Sequence, residues 1–326
     1  MSNSFGNIFR ITIFGASHAE NVGIIIEGAP KGIALSEEMF RADIDRRRPS
    51  LSGETARKEE DTPIIEGLSP EGKTTGEAIT ISFKNSDKRS GDYSNLKVHP
   101  RPSHADLVQL RKYGEDADIA GGGMASGRMT VALVAAGVVA KEILKEVSFT
   151  TRLVAVNGVS DSSQFNDIIT TAAREGDSVG GVVECGVKGI KPTLGEPFFD
   201  SVESVISHLL FSIPGVKGVE FGDGFAGSAK RGSERNDLII DALGTTHTNN
   251  EGGINGGITN GNDITLRVAI KPTPSIAKAQ DTYNFESDTT TPLTIGGRHD
   301  ACIARRAVVV VEAMVAVALA DFLLRA

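Results

Sequence analysis

The sequence predicts an α+β fold, a layered β-α-β sandwich with long buried helices between antiparallel sheets, and three observations lead there. Short segments in which apolar and polar residues alternate recur along the chain, as half-exposed antiparallel strands do. Two stretches of helical length, 130–145 and 304–324, are rich in Ala and Val and apolar around most of their circumference, which marks helices covered on all sides. Glycine is abundant, at 37 of 326 residues, and many glycines fall in short clusters, where backbone turns tightly or packs closely against something.

Taken in order, strand character falls at 8–14, 23–27, 78–83, 150–156, 181–187, 237–242 and 263–270. An amphipathic helix is expected over 37–47, with Ser36 as its N-cap and Pro49 as its stop. A second is expected over 201–211, where Asp200 and Glu203 resemble a capping box. The stretches 48–61 and 84–102 lack apolar periodicity and read as long binding loops. No repeat of 20–50 residues is evident, although each buried helix follows a loop containing Gly and Arg, a weak sign of internal pseudosymmetry. No domain boundary shows.

Composition narrows the function classes. Apolar residues at 40% and charged residues at 23% describe an ordinary soluble protein. A formal charge of −8 argues against a general nucleic-acid binder, so any anion site must be local. Cys185 and Cys302 are far apart with no CxxC spacing, so neither a metal knuckle nor a disulfide framework is indicated. The N-terminal residues lack the pattern of a secretory signal. The longest apolar run, 307–320, contains Glu312 and falls short of the roughly 20 residues a membrane span needs. The expectation is a cytoplasmic protein with no membrane, nucleic-acid or metal partner.

Five constellations could carry chemistry. Ser17-His18-Ala19-Glu20 and Ser103-His104-Ala105-Asp106 each put an imidazole in a loop, where it could act as a general acid or merely bond its neighbours. Arginines in loop contexts (Arg46, Arg47, Arg48, Arg57, Arg101, Arg128 and Arg298) would suit a substrate with phosphate and carboxylate groups, though Arg46 to Arg48 also fit the end of a helix dipole. The segment 121–128, GGGMASGR, leads into a buried helix and could present backbone N–H groups to a phosphate; it is neither GxGxxG nor a P-loop. The run 252–261, GGINGGITNG, followed by KPTPS at 271–275, could grip a planar ring and its phosphate tail, or could simply be tight turns. Finally, Gly297-Arg298-His299-Asp300 precedes the last helix, with Asp300 either a base or a cap.

These segments, in this order, resemble chorismate synthase over nearly the whole chain. The matching runs are FGNIFR from Phe5, DRRRPS at 45–50, RPSHAD at 101–106, KGVEFGDGF at 217–225, GSERND at 232–237, KPTPSI at 271–276 and GRHDACIARRAV at 297–308. The resemblance implies a single domain over 1–326 and a homotetramer. It also implies an enzyme that uses reduced FMN for anti 1,4-elimination of phosphate from 5-enolpyruvylshikimate 3-phosphate, with no net redox change. By carry-over, His18 would protonate the departing phosphate, His104 would protonate reduced flavin, and Asp300 would help flavin take the substrate proton. Flavin contacts would come from Ser126, Arg128, Gly215, Gly256, Asn260, Lys271, Pro272, Thr273, Pro274, Ser275 and Arg298, some of them lent by a neighbouring subunit. Arg47, Arg57, Arg101 and Arg128 would hold the substrate's anionic groups. No flavin-reductase domain is visible, so an external reductase is expected, with NADPH used directly only if the chain is bifunctional.

The chain departs from the family pattern in places. GASHAE stands where the family reads GESHG, so Ala16 and Ala19 replace a carboxylate and a glycine. Met124 and Ala125 stand where the family has Arg and Ser, and Gly53 where many relatives carry arginine. The segment 150–176 is shorter than in many relatives. These departures define the alternative, a non-catalytic flavin or phosphate-ester binding protein on the same fold. Outside the family, a phosphosugar isomerase using paired histidines would need no reduced flavin.

Overall fold

A computed structural model describes residues 3–87, 95–297 and 299–326. The first half of the chain forms β1 (Ser4–Phe5), β2 (Arg10–Gly15), β3 (Asn21–Glu27), α1 (Glu37–Arg47), β4 (Ile64–Glu66), β5 (Ile79–Lys84), α2 (Asp106–Tyr113), α3 (Thr130–Ile143) and β6 (Ser148–Val156). There follow α4 (Phe165–Arg174), β7 (Gly181–Lys188), α5 (Val202–Ser212), β8 (Val216–Phe221) and two one-turn helices, α6 (Gly224–Gly227) and α7 (Gly232–Arg235). A short hairpin of β9 (Ile254–Asn255) and β10 (Ile258–Thr259), then β11 (Ile264–Ile270), a hairpin of β12 (Gln280–Asn284) and β13 (Thr289–Leu293), and α8 (Ile303–Arg325) complete the chain. The mixture of helices with antiparallel sheets is an α+β fold.

Alternation decides which face of each sheet is covered. In β5, Ile79, Ile81 and Phe83 are fully buried while Thr80 and Ser82 face the other way, and Ile24 and Ile26 of the neighbouring β3 point to the same side. The resulting five-stranded antiparallel sheet has the order β1-β2-β3-β5-β4, and a four-stranded one has the order β6-β7-β11-β8. Helix α3 packs on β2, β3 and β5, α8 packs on β6, β7 and β11, and the two helices pack on each other. Neither helix has a polar face to give to solvent, because residues 130–140 of α3 and 309–322 of α8 are buried throughout.

Helix α8 is longer than its apolar run, and its 23 residues would suffice by length and composition to cross a bilayer. Instead 78% of its most apolar window is buried inside the protein, and Glu312 in its middle is neutralised. Arg46 of α1 donates two hydrogen bonds to Glu312, each 2.8 Å, and Lys141 of α3 donates to Glu312 and to Asp43. At the far end of α8, Asp321 Oδ1 accepts from the backbone N–H groups of Asn7, Ile8 and Phe9 at 2.7–3.1 Å, tying the N-terminal segment to this helix.

Two local expectations are corrected. Residues 237–242 form no strand: Leu238, Ile239, Ile240 and Leu243 are 56–88% exposed on a projecting loop with a single bridge, Ile239 to Thr246. Their apolar side chains have no layer of this chain to pack on. The cap of α5 is Ser201, whose hydroxyl accepts from the Ser204 N–H at 3.1 Å, while Asp200 instead accepts from Arg325.

Candidate active site

Where loops from both halves of the chain meet, they enclose a cavity of about 1070 Å³. Nine Lys and Arg residues line it against four Asp and Glu, so the site is locally positive in a chain whose net charge is −8. One wall is apolar, built by Met124, Ile213, Pro214, Val216, Ile303 and Val310.

The glycine-rich turn is the pivot of the site. Gly121, Gly122 and Gly123 all have positive φ, between 53° and 87°, a conformation that side chains strain to adopt. Their missing side chains also make room for both predicted imidazoles. A Cβ on Gly121 would lie 2.6 Å from His18 Nε2, and one on Gly122 would touch the His104 ring at 3.6 Å. His104 lines the cavity; His18 sits behind Gly121, with Ser17 and Gly121 as the lining residues there.

His104 is held by the carboxylate next to its own loop. Its Nδ1 lies 2.7 Å from Asp106 Oδ1, and Arg101 grips both Asp106 oxygens at 2.7 Å. Asp106 is the first residue of α2 and is wholly buried. Burial alone would push its carboxyl up, but the bonds from Arg101 and His104 hold it well below the usual carboxylate range. With the Asp106 carboxylate as acceptor, Nδ1 carries the proton and Nε2 is left on the side of the glycine turn. Arg101 also donates to Ser275 Oγ at 2.9 Å, which links this unit to the 271–275 loop.

Arg47 and Arg128 are buried side by side. Arg47 donates to Thr130 Oγ1 (2.9 Å), the Gly127 carbonyl (3.0 Å) and Asp61 (3.4 Å). Arg128 donates to Asn85 Oδ1 (2.9 Å), the Lys84 carbonyl (3.2 Å) and the second oxygen of Asp61. Burial first, then repulsion from Arg306, with Arg128 adding to it, lowers the Arg47 guanidinium to about 9 despite the attraction of Asp61. Arg57 lines the cavity but bonds Ser17, through both hydroxyl and carbonyl, and Glu59, so it braces the turn that carries His18.

Asp300 does not cap α8; the N-cap is Cys302, without a side-chain bond. Its two oxygens accept from the Thr55 N–H (3.0 Å) and from Arg306 Nη1 (2.8 Å), which fastens the 48–61 loop over the cavity. His299 also lines the cavity, and burial pushes its imidazole down. Lys271, lowered by burial and by Lys217, donates to the Ser103 carbonyl at 2.8 Å.

Of the other residues singled out in the sequence, Ser126, Gly215, Thr273, Pro274 and Ser275 line the cavity. Pro272, Gly256 and Asn260 do not; the last two belong to the β9–β10 hairpin region, where Asn260 bonds Asn255 and Asn262. Arg298 lies outside the described residues. Gly53 faces away from the cavity, with Ile169 of α4 only 2.9 Å from where its Cβ would stand. Sequence reasoning passed over Asp61, Asn85 and Arg306. Asn85 ties the His18 turn to Arg128, donating to the carbonyls of Ala16 and Ala19 at 3.0 and 2.9 Å.

Comparison with known proteins accords with this geometry. The family model described as chorismate synthase matches residues 9–324. A chorismate synthase of Chitinophaga pinensis is 51% identical over 99% of this chain and 96% of its own length. One of Crocosphaera subtropica is 44% identical over 100% of this chain and 98% of its own length. A crystal structure of chorismate synthase superposes with a TM-score of 0.74 at 26% identity, covering 98% of this chain and 93% of that one. Matched in sequence and in fold along almost its whole length, the chain belongs to the chorismate synthase family.

Proposed function

We propose that the cavity binds reduced FMN and 5-enolpyruvylshikimate 3-phosphate together and that its side chains carry out the elimination of phosphate from the substrate. The family makes the chain a carbon–oxygen lyase of the shikimate pathway acting on a small molecule. The observation that carries the finer reading is a single cavity combining an apolar wall, nine cationic residues and a positioned imidazole. A volume of about 1070 Å³ exceeds what one small ligand needs. Thr273 Oγ1 is buried without a hydrogen-bond partner, so the 271–275 loop has a polar atom in reserve for a bound group. The apolar wall fits the face of a planar ring, and Lys271, Lys217 and Ser126 fit its phosphate tail.

Bound reduced flavin would supply the electron-rich ring that makes the carbon–oxygen bond cleavable. The chain's own residues do the rest. His104, with Nδ1–H held by Asp106, presents Nε2 as the ring nitrogen that exchanges a proton in the reaction; His18 serves as the acid for the departing phosphate; Asp300 orients the groups that receive the substrate proton. Arg47, Arg57, Arg101 and Arg128 supply the positive field that stabilises developing negative charge. We read the whole chain as one domain in which the helices lie sandwiched between the two sheets, and the assembly as a cytoplasmic homotetramer. The exposed Leu238, Ile239, Ile240, Leu243 and Phe225 support the tetramer as a surface awaiting a second copy, from which Gly256 and Asn260 would reach a neighbour's cavity. An external reductase supplies the reduced flavin. Anaerobic incubation of the substrate with chemically reduced FMN and the protein is expected to release phosphate. No release, with FMN still bound, would leave a binding protein in place of the lyase.

A further inference from the structure

The ion pairs of Arg47 and Arg128 carry a consequence beyond the reaction. The two guanidiniums come from different elements, the end of α1 and the turn before α3, yet both converge on Asp61. Each oxygen of Asp61 takes one of them. The remaining bonds of both arginines go to neutral acceptors: Thr130 Oγ1, Asn85 Oδ1 and backbone carbonyls. Among the described residues, Asp61 is therefore the one carboxylate within ion-pair distance of either. It is 5% exposed, lines the cavity and lies in a stretch, 48–63, without regular secondary structure. Its φ of +50° is a left-handed conformation that costs a non-glycine residue of order 1 kcal/mol. No helix or strand runs through this position, and the two ion pairs anchor its carboxylate.

We propose that Asp61 is a resident counter-anion: its carboxylate occupies the guanidinium edges that an anionic substrate group would take, and so lowers the cavity's affinity for such groups. An incoming phosphate or carboxylate displaces Asp61 from Arg47 and Arg128 and does not merely add to them. Two buried guanidiniums side by side repel each other, and the internal anion lets them stay charged and close before substrate arrives. The same anion makes binding an exchange of one ion pair for another, which keeps phosphate, a product, from being held tightly. This inference rests on the reading that the cavity takes an anionic substrate.

The test is calorimetric titration of the full chain, without flavin, with inorganic phosphate. Asp61→Asn is expected to bind phosphate about tenfold more tightly than wild type, because two guanidiniums lose their competitor. Asp61→Glu, which keeps the charge, is expected to stay within about twofold of wild type. Unchanged or weaker binding by the Asn variant overturns the proposal, and so does equal tightening in the Glu variant, which would assign the effect to the loop. If Asp61→Asn fails to fold, wild type decides: saturating phosphate should speed hydrogen exchange of the amides in 57–62 if Asp61 is displaced, and slower or unchanged exchange overturns the idea. Turnover of wild type tests the lyase reading separately, since phosphate affinity is measured without any reaction.

Discussion

At His104 the chemistry depends on a neighbour two positions along. Asp106, buried and gripped by Arg101, holds the ring at Nδ1, so one short segment supplies both the imidazole we propose as an acid and its support. Replacing the imidazole removes a positioned acid, which is generally worth 100 to 10,000-fold. His104→Ala is therefore expected to lower the rate of phosphate release by roughly that factor, measured under anaerobic conditions with reduced FMN, while the cavity's cations still bind substrate. The sequence motif showed the histidine plainly, because a loop imidazole followed by a carboxylate is visible without a fold. It did not show Asn85 and Asp61, whose bonds to Arg128 span 43 and 67 residues. Nothing local marks such residues; only the folded chain brings them to the arginine. The same limit applies to Asp300, for which cap and base were the sequence alternatives, whereas the structure engages it with Thr55 and Arg306.

Among the elements, the two long helices were the most legible, since a segment of that length with apolar residues all around must be covered on every side. Their ends fell within two residues of those observed. What periodicity could not show is how closely they meet. Gly137 of α3 lies against Ala313 of α8, and a Cβ there would stand 2.3 Å from Ala313 Cβ and 2.6 Å from its Cα. Gly137→Ala gains about 1 kcal/mol in helix propensity but forces two covered helices apart. A net loss of about 2 kcal/mol is expected, read as a lower urea midpoint. The loop 237–242 misled in the opposite direction: its apolar residues read as a strand because sequence cannot distinguish a face turned to the core from one left exposed.

For the molecule as a whole, the charge network around Glu312 joins α1, α3 and α8 at the centre of the packing. Burial by itself would raise the Glu312 carboxyl, but the bonds from Arg46 and the charge of Lys141 outweigh it and bring it down to about 2 from an ordinary 4.5. A carboxyl lowered on folding stabilises the folded state above its unfolded value, and that stability is lost as pH falls through the folded value. The contribution at neutral pH is about 3 kcal/mol, fading between pH 4.5 and 2. Glu312→Gln removes the more deeply buried of the two carboxylates that Arg46 and Lys141 share and leaves them Asp43. It should cost at most about 3 kcal/mol in urea unfolding at pH 7, a gap from wild type that narrows steadily in acid.

The bond from Asp321 back to Phe9 spans 312 residues, and the helix that carries it also covers β6, β7 and β11. During translation, both sheets leave the ribosome before α8 does. Helix α3 follows the five-stranded sheet closely enough to cover it, but the apolar face of β6, β7 and β11 stays uncovered until residues 303–325 emerge. Closing the core over the second sheet therefore waits for this helix, and a chain made only as far as β11 presents those hydrophobic strands to whatever binds them in the cell.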